Sequence, residues 1–316
     1  MFEPPGNLTV NTSPTQISRR AYLLDLDGVV TDPMTSQTEV LRDVMVHIAS
    51  LIQRGDTVAF ATGRPWKWVE RIVMAPLAEA LIQVDALHPD LRTVFVACEN
   101  GAAICRCDFR PPLLTENALS WEHSLSDDPL FRVDPMIFGR VSAMIRDRGW
   151  GDYLVVDTDK VAMVTVYQNP AVAPEVFFRW FNSNSANVVA ALSTLDGLDS
   201  SDFAFAVTSI AVDAYRPAAT KRLAGLKLSD ALGLSTLPRA SSLVTIIGDS
   251  PSDAHIAHGL PPDLNARFIF VGSEKDQGLI PRYAGLTVTV QPSSRRFAPA
   301  TATFLAAELF GCIKDK

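Results

Sequence analysis

Short apolar runs recur along this chain at 21–24, 57–61, 93–97, 243–247, 268–271 and 286–290, with amphipathic helical patterns between them. Such runs read as strands, and their alternation with helical patterns predicts a parallel sheet covered by helices. Between the first two, "SQTEVLRDVMVHIASLIQRG" sets Val40, Leu41, Val44, Ile48 and Leu51 on one helical face and closes at Gly55, a helix stop. The expected class is α/β, with a Rossmann-like, doubly wound parallel sheet as its core.

From about residue 111 to 212 the rhythm changes. Asp134-Pro135 opens a helix whose buried face is Ile137, Val141 and Ile145. Strand patterns at 153–158 and 161–167 meet at Asp159-Lys160, and a second helix from Pro174 presents Phe177, Trp180 and Phe181. Apolar runs at 187–192 and 203–212 are expected to add a strand pair. The division expected is a flexible tail at 1–20, a core at 21–110 and 213–316, and an inserted α+β cap at 111–212 that sets substrate specificity.

The formal charge of -7, with Lys and Arg clustered no further than pairs, weighs against nucleic acid or an anionic membrane as partner. A small anionic substrate would then need its own local cation. No apolar stretch approaches the roughly 18 residues of a membrane span, and the first twenty residues lack a signal-peptide pattern, so the cytoplasm is the expected location. The cysteines are Cys98, Cys105, Cys107 and Cys312; "CRC" is too tight for ordinary zinc spacing, and all are read as free thiols.

Four motifs fall at the carboxyl ends of predicted parallel strands, where open α/β sheets bind ligands. "DLDGVVTD" supplies Asp25 and Asp27, with Gly28 turning the chain away. "FATGRP" brings the Thr62 hydroxyl and the Gly63 backbone. Arg64 in the same motif is read as pairing with a surface acid and is left out of the catalytic set. "AATKRLAG" opens a helix with Lys221, a cation that the helix dipole disfavours there. "IIGDSPSD" carries Asp249 and Asp253.

Carboxylates crowded at a buried strand end repel one another and call for a counter-cation. Asp25, Asp27 and Asp249 make a hard oxygen cage suited to Mg²⁺, and Thr62, Gly63 and Lys221 can hold phosphoryl oxygens. Residues of these types suit phosphoryl transfer with a carboxylate nucleophile. His255 and His258 follow the last motif; with the oxygen cage complete they are assigned to packing or surface.

The order Asp-x-Asp, Thr-Gly-Arg, Lys, Gly-Asp-x-x-x-Asp resembles the haloacid dehalogenase superfamily of aspartate-dependent phosphotransferases. "CENGAA" after the third strand and "VDAYRPAATK" before the lysine resemble its large-cap subgroup. That subgroup holds Cof-type, sucrose-phosphate, trehalose-phosphate and mannosylglycerate-phosphate phosphatases and the phosphomannomutases. The resemblance runs from about residue 21 to 271. It implies that Asp25 is the nucleophile and that Asp27 is the general acid and base, its backbone carbonyl helping to bind Mg²⁺. Asp249 would be a direct metal ligand, Asp253 would support the metal site, and Asn100 would contact substrate. Two positions depart from the pattern: Val29 stands where Thr is usual, and Ser252 where Asn is frequent.

The implied activity is Mg²⁺-dependent hydrolysis of a sugar or sugar-derivative monophosphate. A phosphomutase and a non-catalytic sugar-phosphate binder are the alternatives. Between 111 and 212 six Lys or Arg face thirteen Asp or Glu, a balance of -7. So acidic a lid suits a neutral polyol better than a second phosphate.

Overall fold

The computed structural model describes residues 20–32, 36–84, 93–110, 120–208, 210–236, 243–283, 285–291 and 295–311. Most of the expected tail and Cys312 lie outside these residues.

The chain opens with β1 (Arg20–Leu24), the short pair β2 (Thr31–Asp32) and β3 (Ser36–Val40), helix α1 (Arg42–Gln53) and β4 (Thr57–Ala61). Helices α2 (Trp66–Val69) and α3 (Ala75–Gln83), separated by a π-helical turn, lead to β5 (Thr93–Cys98), β6 (Ala103–Arg110) and β7 (Ser120–Asp127). A second unit follows: α4 (Met136–Asp147), β8 (Leu154–Val156), β9 (Met163–Gln168), α5 (Pro174–Ser193), β10 (Ala204–Val207) and β11 (Ala211–Tyr215). The chain then returns through α6 (Lys221–Ala231), β12 (Leu243–Gly248), α7 (His255–His258), β13 (Asn265–Phe270), α8 (Glu274–Gln277), β14 (Leu286–Val290) and α9 (Phe297–Phe310).

An eight-stranded sheet runs β14-β13-β12-β1-β4-β5-β6-β7. Pairing is parallel from β14 to β5, and β6 and β7 add an antiparallel edge. Its central strands β1, β4 and β12 are apolar on both faces because helices cover both. Tyr22, Leu24, Val58 and Phe60 pack towards α1, α3 and α9, while Ala21, Leu23, Ala59 and Ala61 pack towards α6 and α7. Each large side chain so buried contributes about 1.5–3 kcal/mol of transfer free energy. The same alternation explains "CRC": Cys105 and Cys107 both face inward on β6, with Arg106 between them facing out.

The second unit is a four-stranded antiparallel sheet, β10-β11-β9-β8, with α4 and α5 on one face. Asp134 accepts the Met136 N–H (3.0 Å) at the entrance to α4. The expected hairpin at 153–167 is present, and β8 ends where the Asp157 side chain accepts the Asp159 N–H (3.1 Å) and turns the backbone away. Two expectations are corrected. The run at 187–192 is not a strand but the end of α5, since Val188, Ala191 and Leu192 continue the helical stripe of Phe177 and Phe181 with no breaker between. The run at 203–212 divides into the hairpin β10–β11. In strand terms the inserted unit is also shifted from 111–212, for β7 lies in the large sheet and β11 reaches Tyr215 in the small one.

Among the described residues no helix is long and apolar enough to cross a membrane.

Close approach of α6 to α7 requires Gly225, where an added Cβ would stand 2.1 Å from the Ile256 carbonyl oxygen. Around Gly139, on exposed α4, a Cβ would meet nothing within 4 Å. Gly139→Ala should therefore stabilise the protein by about 1 kcal/mol through helix propensity alone. Gly225→Ala should invert that sign and cost about 2 kcal/mol or more, because backbone must move. Denaturant unfolding of both variants checks this; equal effects would mean that the α6–α7 contact is looser than described.

Candidate active site

Asp25 continues β1 by one residue, its N–H donating to the Ile247 carbonyl (3.0 Å) on β12. The chain then reverses sharply, with the N–H groups of Val29 (3.3 Å), Val30 (2.9 Å) and Thr31 (3.1 Å) converging on the Leu26 carbonyl. Gly28 allows this at φ 74°, and a Cβ there would lie 2.1 Å from Asp249 Oδ2. No side chain fits between the first and last motifs. Val29, in place of the usual Thr, is fully buried in the apolar core.

Lys221 is the first residue of α6, next to Thr220, and its ammonium enters the strand-end cluster. Its Nζ lies 2.6 Å from Asp25 Oδ1, 2.9 Å from Asp253 Oδ1 and 2.8 Å from the Ala61 carbonyl. Asp253 is fully buried, and its other oxygen accepts both the backbone N–H and the hydroxyl of Ser250 at 3.0 Å. Ser252, where Asn is frequent, meets the Ser250 hydroxyl at 2.6 Å. Asp253 therefore fixes the turn after β12 and anchors Lys221.

Oxygen atoms of Asp25, Asp249 and Asp253 all lie within 4.8 Å of one another. Burial, then repulsion from Asp253, pushes the Asp25 carboxyl up to about 7 and the Asp249 carboxyl up to about 9. Lys221 is held above its ordinary range because its carboxylate neighbours outweigh the burial that opposes its charge. An all-oxygen donor set of this charge suits a hard divalent cation. The trio differs from the expected Asp25, Asp27 and Asp249 because the Asp27 carboxylate is engaged elsewhere. The metal role that the resemblance gives Asp27 is through its backbone carbonyl, which the pairing of its carboxylate does not involve.

At the end of β4 the Thr62 N–H donates to the Ala97 carbonyl (2.9 Å), and the Thr62 hydroxyl accepts the Arg64 N–H (3.1 Å). Asn100 is set against this loop by its N–H to the Thr62 carbonyl (2.9 Å), with its side-chain oxygen 3.7 Å from where a Gly63 Cβ would stand. The acid that Arg64 pairs with is Asp27. Its Nε donates to Asp27 Oδ2 at 3.0 Å and its Nη2 to Oδ1 at 2.7 Å, a forked pairing, with the guanidinium 4.8 Å from the Trp68 ring. The signal available in sequence was that both motifs close adjacent parallel strands. The side chains of His255 and His258 meet Tyr283, one by a hydrogen bond and one by stacking at 4.8 Å, as a packing role requires.

No family model matches the sequence, and no curated protein is significantly similar to it. Solved structures do match. A haloacid dehalogenase-like hydrolase from Bacteroides thetaiotaomicron aligns with 92% of this chain and 99% of its own, at 13% identity and a TM-score of 0.51. A protein from Thermoplasma acidophilum aligns over the same shares at 14% identity and a TM-score of 0.51. A trehalose-6-phosphate phosphatase related protein aligns with 94% of this chain and 100% of its own at 12% identity and a TM-score of 0.48. The chain has the α/β fold of the haloacid dehalogenase-like hydrolase, with the second sheet and its helices as the inserted cap.

Because both carboxyls are raised, the folded state holds protons that the unfolded chain releases near pH 4. The stability this lends is complete below that pH and is lost as pH rises through about 7 for Asp25 and about 9 for Asp249. Without divalent cation, the thermal midpoint should fall between about pH 5 and about pH 9, and Mg²⁺ should restore it most at the alkaline end. Calorimetry in buffers of different ionisation heat should show proton release on Mg²⁺ binding. A pH-independent affinity would mean that these carboxyls are not the ligands.

Proposed function

We propose that this chain is a phosphoric monoester hydrolase: a Mg²⁺-dependent phosphatase acting on a small phosphorylated metabolite, a sugar or sugar-derivative monophosphate, through an aspartyl-phosphate. The observation that carries this is Asp25, at the end of the central strand, bonded to Lys221 and grouped with two further carboxylates. The fold shared with a haloacid dehalogenase-like hydrolase is in keeping with it.

In this reading an Asp25 oxygen attacks phosphorus, and the ester P–O bond breaks. Asp27 delivers a proton to the leaving alkoxide, then removes one from the water that attacks the aspartyl-phosphate and frees Asp25. Thr62, the Gly63 backbone and Lys221 hold the phosphoryl oxygens. Mg²⁺ would be held by Asp25, Asp249 and the Asp27 carbonyl, with Asp253 supporting the site, and would offset negative charge on the phosphoryl group. Arg64 occupies both carboxylate oxygens of Asp27, so the acid step requires Asp27 to leave the fork. Asn100, beside Thr62 and Gly63, would touch substrate.

The cap sheet turns one face to its helices and the other away from them. Thr165, Tyr167 and Asp213 lie on the second face, since their neighbours Val164, Val166, Val212 and Ala214 are buried against α4 and α5. Asp213 Oδ1 lies 3.8 Å from the Lys160 ammonium, which itself lies 3.0 Å from the Gly63 carbonyl, so this face is turned towards the strand-end loop. Thr165 and Asp213 are hydrogen-bonded to each other. The carboxylates of Asp157 and Asp213 and the Tyr167 hydroxyl would favour a neutral polyol leaving group over a second phosphate. Cytoplasmic residence fits the buried free thiols of Cys98, Cys105 and Cys107.

Inorganic phosphate release should be measured on a panel of sugar phosphates. It should require Mg²⁺, fall at least about a thousandfold in Asp25→Asn and fall about 10²–10⁴-fold in Asp27→Asn. No release from any sugar phosphate by folded, Mg²⁺-loaded protein would refute the reading. Transfer between sugar positions without free phosphate would mark a mutase.

A further inference from the structure

The loop bearing Thr62 and Arg64 is gripped from the cap side as well as from the core. Lys160, in the turn between β8 and β9, is only 7% exposed. Its ammonium lies 3.0 Å from the Gly63 carbonyl, 3.1 Å from Met163 Sδ and 3.8 Å from Asp213 Oδ1. A buried ammonium is costly without partners, and the sharpest polar contact here is to the backbone of the phosphoryl-binding loop.

The core reaches back in the opposite direction. Glu99, at the end of β5 and 2% exposed, accepts the N–H groups of Val161 (2.9 Å), Ala162 (2.8 Å) and Met163 (3.1 Å). Its own N–H donates to the Arg64 carbonyl (3.2 Å). Glu99 and Asn100 hold φ at 48° and 56°, left-handed backbone that persists in such residues only where surrounding contacts over-determine it. That turn aims the carboxylate into the cap while its amides hold the loop.

We infer that Lys160 is a positioning residue for the phosphoryl site, and that with Glu99 it forms a two-way latch through which the seating of the cap sets the conformation of the Thr62-Gly63-Arg64 loop. The inference rests on the reading of Thr62 as a phosphoryl ligand. One bond runs from cap ammonium to core carbonyl and three run from cap amides to a core carboxylate, so a cap displaced by an ångström or two loosens both. Neither residue touches the cation ligands directly.

The test uses Lys160→Met, which keeps an unbranched side chain of similar length, with Lys160→Arg, Glu99→Gln and the Lys160→Met/Glu99→Gln double variant. Hydrogen exchange at the Arg64 and Asn100 amides, both bonded to Thr62, should quicken about tenfold or more in either single variant. The double variant should be little worse than either single one, as expected of one coupled unit. The KM for a sugar phosphate and the inhibition constant of inorganic phosphate should rise about tenfold, and Lys160→Arg should recover most of that loss. Mg²⁺ affinity by calorimetry should stay within about twofold of wild type.

Unchanged exchange at Arg64 and Asn100 would overturn the latch. So would single-variant effects that simply add, or a uniform loss of protection across the eight-stranded sheet. Should the wild type release no phosphate at all, the phosphatase reading fails, while the exchange measurements still decide the latch.

Discussion

Three carboxylates drawn to within 4.8 Å of one another in a largely buried space repel strongly, and the carboxyl edge of the sheet is arranged around that repulsion. Lys221 answers part of it with contacts to Asp25, Asp253 and the Ala61 carbonyl. A buried pair of this sort is weak evidence for stability, since desolvation offsets most of its attraction. Its value lies in holding the Asp25 carboxylate and an ammonium in one place. Gly28 and Gly248 belong to the same arrangement, for a Cβ on either would collide with the Asp249 or Asp253 carboxylate.

The sheet supplies the frame for this charge. β1 lies between β4 and β12, so three successive strand ends deliver Asp25, the Thr62 loop and Asp249 to one edge. The cap meets that edge by apolar packing of Ala162 with Ala102, Phe131 and Ala219, and by polar contacts to backbone: the Glu99 carboxylate on three amides and the Lys160 ammonium on one carbonyl. Contacts of this kind are directional. They hold the second sheet in register over the strand-end cluster.

Much of the core was legible beforehand because its signals are local. A buried parallel strand needs a continuous apolar run, and Asp25, Asp249, Asp253 and Lys221 follow such runs or open the next helix. The run at 187–192 misled because Val and Ala suit both a strand and a long helix, and the deciding periodicity appears only when 174–193 is taken as one segment. The Arg64–Asp27 pair was missed for another reason. Thirty-seven positions separate the two residues, and only the parallel register of β1 on β4 brings them together.

What the sequence determined by itself was the strand and helix periodicity, the α/β class and the identity of the groups at each strand end, because these depend on residue type and near neighbours. The tertiary structure decided which carboxylates share a space, that Asp27 goes to Arg64, and that Glu99 and Lys160 hold cap and core together. Those contacts join residues from 37 positions apart, for Arg64 and Asp27, to the span between Asp25 and Asp253, and no local pattern encodes a contact whose partners are brought together only by sheet order and chain return.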